Sequence, residues 1–160
     1  MILQPTGLAV LAALGLLPKI AARGARIERL FGTDAKRGRT VLDVRYAASP
    51  GRRFGLAVHR AALFDVLHYA VSAGGIAILT GIEVSSLEES ASGPVLMAKD
   101  GARLGRFDLV VDASGARSNL RAHCYRPAEP RPLTYGAFWA SLGWRGQGFD
   151  PNALQQRYER

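Results

Sequence analysis

The chain has 160 residues, 48% of them hydrophobic and 21% charged, which is the composition of a globular protein and excludes a disordered or fibrous one. The formal net charge is +8, and the excess is confined to residues 1–60, which hold 11 Lys/Arg and 3 Asp/Glu. These basic residues form no continuous run, and the aromatic residues near them match no RNA-binding motif. We therefore predict no nucleic-acid partner, although a phosphate-bearing cofactor is compatible with the charge.

The cysteine content and the N-terminal apolar stretch indicate the cellular compartment in which the protein is expected. Cys124 is the single cysteine, so no internal disulfide is possible and a reducing cytoplasm is expected. His123 beside it does not predict a metal site, because the chain has three histidines and no Cys-x-x-Cys spacing. Residues 7–17 are uncharged but too short to span a bilayer, and the basic residues follow this stretch instead of preceding it. We predict neither a transmembrane segment nor a signal peptide.

Hydrophobic spacing and turn residues predict the elements of the first half of the chain. They are helices at 6–16 and from Pro18 to Gly24, strands at 26–30 and 40–46 with turns at Gly32 and Gly38, a turn at Pro50-Gly51, a strand at 55–59, and a helix at 60–72 ended by Gly74-Gly75.

The second half is predicted to be richer in strands. They are expected at 76–79, 82–87, 95–99, 103–107 and 108–112, with a hairpin at Asp100-Gly101. The run 76–79 is uniformly apolar, which is typical of a strand covered on both faces in a parallel sheet. Residues 126–132 are interrupted by proline, 133–144 predict a long strand, and Asp150-Pro151 predicts the start of a helix.

Residues 108–121 (DLVVDASGARSNLR) are the most informative segment. A short apolar strand ends in the small residues Ala113-Ser114-Gly115, and Ser118 is placed to cap a short helix. Such a junction lets backbone N–H groups approach an anion closely. Most such sequences are ordinary strand ends with a glycine turn, so the segment taken alone favours ligand binding only weakly.

This segment, together with residues 3–16 (LQPTGLAVLAALGL) and 58–67 (VHRAALFDVL), resembles the FAD-dependent aromatic-ring hydroxylases, the para-hydroxybenzoate hydroxylase-like flavoprotein monooxygenases. The resemblance implies an α/β fold. Residues 1–125 would be a partial Rossmann-like (glutathione reductase-type) FAD-binding domain with a β-hairpin insertion. Residues 126–160 would begin a second, α+β substrate domain.

The same resemblance implies the cofactor-binding residues. Arg60 would contact the flavin diphosphate, where its fixed donors and permanent charge are suited to phosphate. Val84 would contact the adenine through its backbone. Ser114 and Gly115 occupy the family's Asp-Gly motif, which contacts the flavin ribose and pyrophosphate. Ser114 stands where the commonest form has Asp and offers a hydroxyl without a charge, which leaves the motif's role in NAD(P)H handling open.

Two arginines near this turn have alternative interpretations. Arg117 and Arg121 either pair with phosphate or lie on a solvated helix face, and the second interpretation is favoured for Arg117.

By resemblance, the function would be that of a flavin enzyme. FAD would be reduced by NAD(P)H and would use O₂ to hydroxylate a small organic substrate. No catalytic residue is identified, since Glu88-Glu89 are adjacent on a strand and point to opposite faces. The alternative is a non-catalytic remnant or accessory module that retains only the fold.

The alternative is considered because the family's Gly-x-Gly-x-x-Gly turn occurs nowhere in this sequence. By that comparison the chain corresponds to a central fragment of a longer enzyme. We then expect exposed edges and faces at 76–79 and 108–112, either poor solubility or the need for a partner, and weak or no FAD binding by the lone chain.

Overall fold

In the computed structural model, the described residues are 1–48, 50–51, 53–123, 131–143 and 145–159. They fall into two compact units, Met1–Ala77 with Leu142–Arg160, and Ile78–Ser141. The division at residue 125 into an FAD-binding and a substrate domain remains a prediction. Cys124, Trp144 and the segment 126–130 lie outside the described residues.

The three α-helices of the described residues all lie before residue 74, and the regular elements after them are strands and one 3-10 turn. In chain order the regular elements are β1 (Ile2–Leu3), α1 (Pro5–Ala13), α2 (Leu17–Ala21), β2 (Gly24–Ile27), β3 (Arg29–Asp34), β4 (Thr40–Arg45), β5 (Gly55–Val58), α3 (Arg60–Ala73), β6 (Val84–Glu88), β7 (Val95–Ala98), β8 (Arg103–Arg106) and β9 (Ala153–Tyr158), with 3-10 turns at Tyr46–Ala48 and Arg121–His123.

The main core of the first unit lies between the three helices and an antiparallel sheet in the order β1-β5-β2. α1 begins with Pro5 in its first turn and ends before Gly15, whose φ of +70° reverses the chain. The helices predicted over 6–16 and after Pro18 are therefore confirmed, although each is shorter than predicted. The buried side chains that form the core are those of Leu8, Leu11, Leu16, Ile20, Leu56, Val58 and Val66.

The helix predicted over 60–72 is confirmed as α3. Its C-cap is Gly74, and Gly75 follows with φ +70°, a conformation that glycine adopts without strain. Val66 is the buried residue of this helix.

A second sheet of the first unit has the order β4-β3-β9, with β3 antiparallel to β4 and parallel to β9. The strand predicted over 26–30 is divided at Glu28 between β2 and β3, which belong to different sheets. The turn predicted at Gly38 is confirmed by its φ of +67°. The turn predicted at Gly32 is wrong: Gly32 lies inside β3, where a Cβ would meet the Tyr158 ring at 2.5 Å.

The helix predicted from Asp150 is also wrong. The Asp150 carboxylate does accept a backbone N–H, from Asn152 at 2.8 Å, but it caps a turn. The chain then pairs as β9 alongside Arg29–Asp34. Pairing with a strand more than a hundred residues earlier outweighs the local helix signal.

The second unit contains the antiparallel sheet β6-β7-β8. The hairpin predicted at Asp100-Gly101 is confirmed: Gly101 has φ +87°, and Asp100 Oδ1 accepts the Ala102 N–H at 2.9 Å. The three strands predicted here are each found within a few residues of their expected bounds.

Three predicted strands are absent from the described residues: 76–79, 108–112 and 133–143. An apolar run becomes a strand only where another strand completes its hydrogen-bond ladder, and no described strand pairs with these segments. Their side chains are largely solvent-exposed, for example Leu109 (78%) and Val111 (77%). The exposure expected at 76–79 and 108–112 is thus found, whereas the strands are not.

Candidate cofactor-binding turn

Residues 112–121 form a turn organised around the carboxylate of Asp112. Its Oδ1 accepts hydrogen bonds from the backbone N–H of Ser114 (3.1 Å) and from the Ser114 hydroxyl (2.6 Å). Its Oδ2 accepts the hydroxyl of Ser118. Aspartate followed two residues later by a donor is a frequent local turn, and the small residues of this stretch allow it to close tightly.

These hydrogen bonds keep Asp112 ionised. The Ser114 hydroxyl, then the Ser118 hydroxyl and the Ser114 N–H, hold the pKa of Asp112 below its ordinary value. Partial burial acts in the opposite direction, and the positive charge of Arg121 adds a smaller lowering of this pKa. The Asp112 carboxylate therefore stays negatively charged at neutral pH.

Ser118 occupies the position predicted for a helix cap. Its Oγ accepts the N–H of Leu120 at 3.0 Å, as a capping residue does. The chain beyond this cap forms a single 3-10 turn at Arg121–His123 and no α-helix.

At Gly115 the space beside the backbone of the turn is unoccupied. The φ of Gly115 is +90°, and nothing lies within 4 Å of the place where a Cβ would stand. Its carbonyl accepts the Ser118 N–H at 3.1 Å, but no group among the described residues accepts the N–H of Gly115 or of Ala116. Two backbone donors are thus available to a ligand at a position that no side chain obstructs.

The two arginines of the turn have different environments. Arg121 donates from Nη2 to the carbonyl of Ala116 at 2.6 Å, so its guanidinium stabilises the turn itself. Arg117 is exposed and lines a cavity. The solvated helix face favoured for Arg117 is wrong, because residues 112–120 contain no helix, whereas Arg121 is the first residue of the 3-10 turn Arg121–His123.

A cavity of about 560 Å³ lies between this turn and the first hairpin of the second unit. It brings together two of the predicted site residues, Val84 at the start of β6 and Ser114. Its volume is within the range of small-molecule sites. The lining includes Val84, Leu96, Val110, Asp112, Ser114 and Arg117.

The fourth predicted residue, Arg60, lies in the other unit. It is the first residue of α3, exposed, and without an ion-pair partner among the residues described. A cation at a helix N-terminus faces the positive end of the helix dipole, so the helix gains nothing from it.

Metal-ligating clusters and membrane-spanning helices are both absent from the described part of the chain. No group of three or more His, Cys, Asp or Glu is arranged there to hold a metal ion. No helix among these residues has both the length and the apolar character needed to cross a membrane.

Comparison with known proteins identifies the fold. Neither a protein-family model nor a curated protein sequence matches the chain. Solved structures do match. HpxO of Klebsiella pneumoniae, complexed with FAD and uric acid, is 23% identical with a TM-score of 0.55, over 74% of this chain and 30% of that one.

Two Pseudomonas proteins match in the same way. The p-nitrophenol 4-monooxygenase PnpA of Pseudomonas putida is 16% identical with a TM-score of 0.54, over 64% of this chain and 27% of its own. PqsL of Pseudomonas aeruginosa, a probable FAD-dependent monooxygenase, is 17% identical with a TM-score of 0.53, over 64% of this chain and 29% of its own.

These likenesses show a mixed α/β fold found in FAD-dependent monooxygenases, which confirms the predicted α/β class. The chain spans less than a third of the length of each of these proteins. The more specific likeness to the para-hydroxybenzoate hydroxylase-like enzymes remains a prediction.

Asp112, the centre of the turn, is not among the site residues predicted from sequence. The sequence does contain a signal for this turn. Ser114 and Ser118 follow Asp112 closely enough for their hydroxyl groups to donate to its carboxylate. The apolar run before Asp112 drew the interpretation toward a strand that ends there, and a residue inside a strand would not fold back on its own successors.

Proposed function

We propose that this chain contributes part of the FAD site of a flavin-dependent monooxygenase, and that residues 112–121 contact the cofactor. The observation that carries the proposal is the unobstructed backbone at Gly115, beside a cavity that Val84 and Ser114 line together. The fold likeness to proteins that include an FAD complex supports it.

The donors of the turn are suited to the phosphate groups of FAD. The N–H groups of Gly115 and Ala116 are available, and Arg117 supplies a positive charge at the cavity. The negative charge of Asp112 is compensated by three internal donors, which reduces its repulsion of a phosphate. These residues therefore fit the group.

The remaining assignments follow the family resemblance. In this proposal Arg60 contacts the FAD diphosphate and Val84 contacts the adenine through its backbone. Residues 1–125 belong to a Rossmann-like FAD-binding domain with a hairpin insertion, and 126–160 to a substrate domain.

When bound, FAD would supply electron transfer from NAD(P)H and the activation of O₂ for hydroxylation of a small organic substrate. The residues of this chain would bind and orient the cofactor, and no proton-transfer residue is assigned to them.

A glycine substitution tests the proposal directly. Gly115→Ala places a methyl group where the ligand would approach, whereas Gly101→Ala introduces the same substitution at a nearly equal φ (+87° against +90°) in the β7–β8 hairpin. Both variants should lose about 1–2 kcal/mol of stability through backbone strain. FAD affinity, measured from the quenching of flavin fluorescence, should fall about tenfold in Gly115→Ala alone.

Two results would contradict the proposal. One is the absence of saturable FAD binding by the wild-type chain. The other is an equal effect of the two alanine variants on FAD affinity.

A further inference from the structure

We infer that Asp112 is a positioning residue of this site, which holds the Ser114 hydroxyl so that its oxygen presents only acceptor lone pairs to the cavity. The ligand group met at Ser114 is then a hydroxyl donor and not a phosphate oxygen. This inference rests on the proposed function.

The hydrogen bonds of Ser114 provide the first step. A serine has two protons to donate, one on the backbone nitrogen and one on the hydroxyl. Asp112 Oδ1 accepts both, at 3.1 and 2.6 Å. Nothing remains for Ser114 to donate, while its Oγ keeps lone pairs on a residue that lines the cavity.

The second step compares a charged phosphate oxygen with a neutral hydroxyl as the group that meets Ser114. A phosphate oxygen is itself an acceptor and is negatively charged, so at the Ser114 oxygen it would meet lone pairs and no proton. A neutral sugar or polyol hydroxyl donates to such an oxygen. Phosphate is better accommodated at the free N–H groups of Gly115 and Ala116.

The other end of the turn provides the third step. Asp112 Oδ2 accepts the Ser118 hydroxyl, and Ser118 accepts the Leu120 N–H. One carboxylate therefore fixes both serines, and its removal frees the Ser114 proton to point into the cavity. Ser114 would then change from acceptor to donor.

The test compares two probes that separate hydroxyl from phosphate recognition: riboflavin, which has ribityl hydroxyls and no phosphate, and inorganic pyrophosphate, which has no hydroxyl bound to carbon. Each is measured by competition against FAD on the wild-type chain and on Asp112→Ala. We expect riboflavin affinity to fall about fivefold, the effect of one lost hydrogen bond, and pyrophosphate affinity to rise. A variant that merely loosened the fold would weaken both probes together.

Two further variants support the comparison. Asp112→Asn removes the charge but keeps the shape of the side chain. It should therefore lower the riboflavin affinity and raise the pyrophosphate affinity by smaller factors than Asp112→Ala, and it keeps the test valid if Asp112→Ala does not fold. Asp108→Asn removes an exposed carboxylate from the same segment, outside the cavity beside Ser114, and should leave both affinities unchanged.

The outcomes distinguish the two claims. A wild-type chain that does not bind FAD contradicts the proposed function and this inference with it. A wild-type chain that binds FAD, with Asp112 variants that leave both probes unchanged or weaken both alike, overturns this inference alone.

Discussion

Arg29 and Asp43 form a two-pronged ion pair across the neighbouring strands β3 and β4, with Nε to Oδ1 at 2.6 Å and Nη2 to Oδ2 at 2.9 Å. The guanidinium also lies over the Phe31 ring, 4.2 Å from its centroid. Arg29 stands directly opposite Arg45 in the ladder, so Asp43, which is 3.9 Å from Arg45, separates two like charges. The pair therefore favours this register of the sheet.

Stability should fall in acid because of this pair. The hydrogen bond and charge of Arg29, with the charge of Arg45, lower the pKa of Asp43 from its ordinary 3.8, against an opposing effect of burial. A carboxyl whose pKa is lower in the folded state stabilises it fully above the unfolded-state pKa, and this contribution is lost as pH falls through the folded-state pKa. The urea midpoint should thus decrease below about pH 4.

Asp43→Asn should lower the midpoint at neutral pH and weaken its dependence on acid, without abolishing it, because the pKa of Asp112 is also lowered. Glu28→Gln, which removes the exposed partner of Arg26, is the matched control and should retain the wild-type acid dependence. An Asp43→Asn profile parallel to that of the wild type would contradict this account.

A pair of glycine substitutions tests the packing of the first sheet. A Cβ on Gly24 would stand 2.7 Å from the Ala57 carbonyl oxygen, a backbone atom that cannot move aside alone. Gly24→Ala should therefore lower the free energy of unfolding by about 1–3 kcal/mol. Gly7→Ala, in α1 with nothing within 4 Å, should raise it by about 0.5–1 kcal/mol. Chemical denaturation measures both, and a neutral Gly24→Ala would show that β2 and β5 are not paired as described.

Arg60→Ala tests the cofactor role proposed for Arg60. The substitution removes a cation that has no ion-pair partner among the described residues from a helix N-terminus, so stability should be unchanged or slightly increased. FAD affinity should fall about tenfold, with a weaker dependence on salt. Arg23→Ala, which removes another exposed arginine of the same unit, should leave FAD affinity unchanged. Equal affinities of the two variants would make Arg60 a surface residue only.

The apolar segment 133–142 should limit solubility. Phe138 and Trp139 are almost fully exposed, and no described strand or helix covers them. Replacing both with serine should raise the protein concentration at which aggregation, measured by light scattering, begins, without lowering the urea midpoint. Val66→Ser, which places a hydroxyl in the core, should lower both the soluble concentration and the urea midpoint. A loss of stability in the Phe138/Trp139 variant would show that these rings are packed.

Elements stabilised by nearby residues were predictable from sequence. α3 carries its own apolar face and its terminating glycines, and the β7–β8 hairpin carries its Asp-Gly turn. Both signals are complete within a few residues, so they need no information about the rest of the fold.

Elements that depend on distant partners were not predictable in this way. β9 exists because it pairs with β3, although Asp150-Pro151 locally favours a helix. Conversely, residues 108–111 have the apolar run of a strand but no described partner. The same difficulty hid Asp112, whose role depends on the backbone folding back so that Ser114 and Ser118 reach it.

The most direct test of the central claim is a titration of the ¹⁵N-labelled chain with FAD, followed by two-dimensional NMR of the backbone amides. The account predicts saturable shifts concentrated at Val84, Ser114, Gly115 and Ala116, with Arg60 also affected, while the amides of β3, β4 and β9 stay unchanged. The absence of shifts at the 112–121 turn, or saturable shifts confined to other residues, would contradict it.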